Sequence, residues 1–202
     1  MASADAGTLV RQVRKFKEKM AMAYSKNLTI IAGTALAYFL TFELNAYLFS
    51  SLAYAPDVYW VCLPSGLQLA FILIFVESGA IGIAIATTIL GLLHQPDADL
   101  ITILGAGFFS GFAPWLARLI CIARFNLDDD LKNLTPATLL AISMLFSLLP
   151  AVLQQLWYSC CGLTNDFLGT TTVMVSGALI GTIAMLYFAK LVLHVHSYST
   201  RS

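Results

Sequence analysis

Charge is what this 202-residue chain has least of: 11% of it is Asp, Glu, Lys or Arg, against 59% hydrophobic residues. So little charge, with a mean hydropathy of +0.82, excludes a soluble globular domain of ordinary make-up. Basic residues are missing altogether from three of the connections between apolar runs, which hold Asp57, Asp97, Asp99 and Asp166 instead. The basic run near the N-terminus is short and nothing else supports it, so nucleic acid is not expected as a partner. Cysteine is also sparse. The four present match no zinc spacing, and His194 and His196 have no third ligand nearby, so no metal is expected. An oxidised pair of Cys62 with Cys160 or Cys161 stays open, because connectivity does not follow from sequence. Finally, no nucleophile stands with its base and no phosphate loop or cofactor signature occurs, so neither catalysis nor a cofactor is expected.

Apolar runs are what the chain has in abundance. Six of them, at roughly 28–52, 59–76, 78–93, 100–122, 135–158 and 167–192, approach or exceed the ~17–25 residues a membrane-crossing helix needs. The expected fold is all-α, a polytopic transmembrane bundle of about six spans over 28–193. It is flanked by a basic arm, 1–27, and a short tail, 194–202. All 11 Lys and Arg residues fall on one side of that ladder, so the positive-inside rule makes both termini cytoplasmic. In the arm, Leu9, Val13, Phe16, Met20 and Tyr24 recur at helical spacing among basic residues. That pattern fits an amphipathic helix on the inner leaflet, with a merely solvated basic signal as the alternative. The lipid bilayer is the first partner in either case.

Inside the spans, small residues form rows: Ser78, Gly82 and Ala86; Gly107 and Gly111; Gly177 and Gly181. Such rows let helices approach closely in lipid. Pro64, Pro114 and Pro150 remove backbone donors from theirs. Tyr47, Tyr54, Tyr59, Trp60, Trp157 and Tyr158 read as an anchoring belt at the outer interface. Polar residues at membrane depth each need a reason. Glu43, Asn45, Gln68, Gln154 and Asp166 all fall in the outer half of the expected bundle, with Gln155 beside them. Together they suggest a polar pocket open to the outside, and these five are the candidate ligand or sensing residues. A buried carboxylate favours its neutral form, which makes Glu43 the candidate for proton sensing.

Two stretches carry a family resemblance. Leu63-Pro64-Ser65-Gly66, followed by Leu69-Ala70 and an aliphatic run into Gly79 and Gly82, resembles the proline, small residue, glycine signature of the MASE family of membrane-associated sensor domains. Asn165-Asp166-Phe167-Leu168-Gly169 resembles that family's Gly-Asp-x-x-Gly motif, with Asn165 where glycine is usual. The stretch from Arg118-Leu119 through Phe125-Asn126-Leu127-Asp128 to Leu131 is similar to its inner loop. The similarity runs roughly from Tyr59 to Val192, and it makes Pro64, Gly66 and Gly169 motif residues with a shaping role. The resemblance implies a sensory domain of a bacterial inner membrane. Family members usually have about eight helices fused to a cyclase, phosphodiesterase or kinase, whereas this chain reads as a stand-alone six-helix form. The leading expectation is therefore a non-catalytic sensory protein that signals to a separate membrane or cytoplasmic partner. Two other expectations stand beside it: a substrate-binding subunit of an uptake transporter, and an assembly subunit of a membrane complex.

Overall fold

The computed structural model describes residues 2–125, 135–164 and 166–199, with side chains described from Tyr24 to Arg124 and from Thr135 to Lys190 except Pro136, Asn165 and Ala189. Its elements in chain order are helix α1 (Ala2–Leu48), a 3₁₀ turn (Ser50–Leu52), strands β1 (Ala53–Ala55) and β2 (Val58–Tyr59), then α2 (Leu63–His94), α3 (Leu100–Phe125), α4 (Pro136–Cys160) and α5 (Phe167–Ser199). Among the described residues five helices are long and apolar enough to cross a membrane. The basic arm is continuous with the first of them, since α1 runs unbroken for 47 residues. Of its amphipathic stripe only Tyr24 has a described side chain, and it is exposed. The segment 126–134, Asn165 and the side chains of His194 and His196 lie outside the described residues.

Helix α2 covers two of the six apolar runs, and it is folded back on itself. Val76 has φ 49° and ψ −115°, a conformation that a β-branched residue rarely adopts. A Cβ added to Gly79 would stand 2.5 Å from the carbonyl oxygen of Phe71, although residues eight apart in a continuous helix are separated by ~12 Å. Both ends of α2 accordingly reach the same end of α1. The N–H of Leu63 donates to Asn45 Oδ1 at 2.9 Å, and His94 Nε2 lies 3.0 Å from Glu43 Oε1. Its two arms, 63–75 and 77–94, are joined by a tight turn at which Glu77 is exposed.

The first arm does not start at the rim of the bundle. After the hairpin, whose turn residue Asp57 has φ 60°, the chain descends in extended form along α5. Tyr59 carbonyl meets Gly177 and Cys62 carbonyl meets Gly181, while the N–H of Cys62 donates to the Gly177 carbonyl at 3.0 Å. Gly181 is 14 residues past Phe167, or ~21 Å along the helix. The glycine row of α5 therefore receives a non-helical strand rather than a second helix. The other rows pack helices as expected: Gly107 and Gly111 face Ala84 and Ala80, and Gly82 faces Ile31 and Thr34. Leu69, Ile72, Ile83, Ala117, Cys121 and Ile142 fill the remaining centre and are almost wholly shielded.

Candidate functional site

Five helices and the descending strand enclose a cavity of about 110 Å³. Its wall takes Tyr38 from α1, Ser65, Gln68 and Thr87 from α2, Ser110 from α3, Ser147 and Gln154 from α4, and Ala178 from α5. Above it lies a vestibule of about 370 Å³, bounded by Pro56, His94, Pro96, Gln155, Leu163 and Thr170. Val58, Gln95 and Tyr158 line both spaces and form the neck between them. Below it the apolar centre closes the bundle, with Ile72, Ile83, Ala117, Cys121 and Ile142 at 0% exposure. The site thus adjoins the vestibule at one end and apolar packing at the other.

The five sequence candidates divide unequally over this geometry. Gln68 and Gln154 line the cavity. Gln68 Nε2 donates to the Ser110 carbonyl at 2.8 Å, which leaves its carbonyl oxygen as the atom free to receive a donor. Gln154 Nε2 donates to the Tyr158 hydroxyl at 3.3 Å. Asn45 is fully buried and is used as a cap for α2, since a helix start leaves its N–H groups without intrahelical partners. Asp166 caps α5 in the same way: its Oδ1 accepts from the Gly169 N–H at 3.0 Å and its Oδ2 from the Tyr54 hydroxyl at 2.7 Å.

Those contacts give a physical reading of the aspartate and glycine motif. Asp166 is the cap, and a side chain at Gly169 would collide with that carboxylate and with the Tyr54 hydroxyl. In the other motif, Pro64 occupies the first turn of α2, where no intrahelical N–H bond is lost. Gly66 lets the same turn sit against Met185 and the Gly181 carbonyl.

Glu43 is not the isolated carboxylate that its place in the first span implies. It is 40% exposed and paired with His94, whose other ring nitrogen, Nδ1, lies 3.5 Å from Asp57 Oδ1. Gln95 Nε2 closes the chain by donating to Asp57 Oδ2 at 2.8 Å. An imidazolium can serve both carboxylates, while a neutral ring can donate to only one. This relay ties α1, the hairpin turn and the end of α2 together at the vestibule. The sequence alone assigns nothing to His94 and Gln95 and marks Asp57 only as an acid of an outer loop. The usable signal was a lone histidine ending a long apolar run, opposite aspartates in the adjacent loops. Three belt residues also have partners within the bundle: the Trp157 indole donates to the Thr102 carbonyl at 3.0 Å, and Tyr59 and Tyr158 line the cavity. Tyr47, Tyr54 and Trp60 keep exposed rings. All four cysteines are free, and Cys62 lies in the cavity wall.

The Tyr54 hydroxyl, followed by the Gly169 N–H, holds the Asp166 carboxyl below its ordinary value of 3.8. A depressed carboxyl contributes stability that is complete above the ordinary value and is lost as pH falls through the lower folded one. Asp166→Ala should therefore melt below the native protein at pH 7, with the gap narrowing as pH drops under 3.8. Thermal melts of both proteins in one detergent from pH 7 to pH 3 check this, and a gap that stays constant would count against the cap.

Comparisons of this chain with protein-family models, with curated proteins and with solved structures return no match.

Proposed function

We propose that this chain is a non-catalytic sensory or regulatory membrane protein, one that takes a small solute from the outer side and passes the change to a separate protein. The observation that carries the reading is the cavity, whose wall sets amides and hydroxyls among apolar side chains, with the vestibule adjoining it at one end and the apolar centre closing the other. A receptor needs a site of this kind, and an assembly subunit does not. The two arms of α2 favour six crossings, with both termini on the cytoplasmic face of a bacterial inner membrane. Helix α1 is the natural output element, because Glu43 and Asn45 bind the site at its outer end while its backbone continues inward to Ala2. A solute that changes the Glu43 and His94 contact, and so prefers one placement of α1, would shift the population of that helix. The resemblance to MASE-type sensor domains agrees with this reading, and it points to a kinase or cyclic-nucleotide enzyme as the recipient.

One observation favours uptake as a second reading. The first arm of α2 begins inside the bundle beside the cavity, and interrupted helices of that kind build substrate sites in transporters. A pull-down of the tagged full chain from native membranes in mild detergent, with mass spectrometry of what is retained, separates the two. A recurring kinase or cyclic-nucleotide enzyme is the expected result. An ATPase in its place would move the assignment to uptake, and recovery of the chain alone would overturn both readings.

A further inference from the structure

We propose that the cavity selects an uncharged, hydrogen-bonding molecule and rejects ions of either sign; this rests on the outward-facing receptor reading above. Size comes first. At ~10–15 Å³ per water-sized position, the cavity of about 110 Å³ holds roughly seven to eleven such groups. That is room for a compact solute, and since an ion with about six waters is of similar size, volume alone does not choose between them.

Charge is the deciding property. Apart from Asp57, the polar side chains of the wall are hydroxyls, amides and the Cys62 thiol, all of them neutral, and among the described residues no Lys, Arg or His lines it. Its one charged side chain, Asp57, stands at the mouth and is already occupied by the Gln95 amide and the His94 ring. An anion in the cavity would find no cation in the described wall and would have to pass the Asp57 carboxylate at its mouth. A cation would find a single carboxylate, already shared with the Gln95 amide and the His94 ring, and no second counter-charge in the described wall. Either would shed water without replacement, and a buried charge is tolerated only when paired. Neutral donors and acceptors meet the opposite situation. Gln68 offers a carbonyl oxygen to the interior, and in the vestibule wall Gln155, at 1% exposure, has an acceptor without a partner. The other end of the Gln155 amide is spent on the weak sulfur acceptor of Met174. Buried polar atoms are rarely left so, and a donor from a vestibule solute would reach that shielded oxygen only with a turn of the Gln155 side chain.

Cys62 is a native reporter for this selectivity. Two versions of the full chain, one retaining only Cys62 and one only the exposed Cys160, are reacted in right-side-out vesicles. The reagents are a trimethylammonium-ethyl methanethiosulfonate, its uncharged 3,3-dimethylbutyl isostere and the anionic sulfonatoethyl reagent. The expected result is a neutral-to-charged rate ratio at Cys62 that exceeds the ratio at Cys160 on the order of 100-fold. Ala178→Phe, which fills the cavity wall, should slow the neutral reagent at Cys62. Equal ratios at the two cysteines would overturn the proposed selectivity and leave the outward-facing cavity standing. A neutral rate unchanged by Ala178→Phe would also overturn it, because the reagent would then be arriving through lipid. No reaction at Cys62 with any reagent would overturn the outward-facing reading itself.

Discussion

Gly181→Ala should destabilise the bundle by about 3 kcal/mol, although alanine is the better helix former by up to ~1 kcal/mol. The new methyl group would be built onto the carbonyl of Cys62, a backbone atom that cannot turn aside as a side chain does. Relief requires the whole strand from Tyr59 to Cys62 to move off α5. That displacement breaks the bond from the Cys62 N–H to the Gly177 carbonyl, and it carries the start of α2 with it. Gly33→Ala is the control, because a Cβ there meets nothing within 4 Å, so the same substitution should be neutral or slightly stabilising. Melting of the two variants side by side in one detergent is the measurement. If both melt with the native protein, the strand is not seated on α5 as described.

The same strand marks where sequence reasoning stopped. Apolar runs gave the helical class and the approximate ends of most helices, though not the start of α1 at Ala2, because burial in lipid is written into composition over windows of about twenty residues. The separation between the second and third runs was legible at Glu77, one residue from the turn at Val76. By contrast, nothing in Ala53 to Cys62 says that an extended segment dives between helices. Its backbone groups are satisfied by a partner, Gly177, more than a hundred residues away. The polar residues were legible as a set and not as individuals. Asn45, Gln68 and Asp166 look alike as polar residues near the outer end, yet one caps α2, one lines the cavity and one caps α5. Which of these a residue does depends on the azimuth of its helix and on what crosses beside it, and a single sequence encodes neither.

Asn45 shows the difference in a measurable way. As a ligand-binding residue facing open space it would tolerate Asn45→Leu with little loss of stability, since the substitution keeps the branched shape and is apolar at membrane depth. As the cap of α2 it should not. The leucine would leave the N–H of Leu63 without its 2.9 Å partner, in a place where Asn45 is 1% exposed and water does not substitute. An orphaned buried donor costs about 1–3 kcal/mol, and the expected loss is toward the upper end because lipid offers no alternative acceptor. Asn45→Asp keeps an acceptor at the same position, beside the partly positive start of α2, and should recover most of that loss. Unfolding of the three proteins by denaturing detergent would rank them native, Asp, Leu. A leucine variant as stable as the aspartate one would return Asn45 to the list of solute contacts. The predicted ranking would make it the residue that fixes where α2 begins, and with it the depth of the cavity floor.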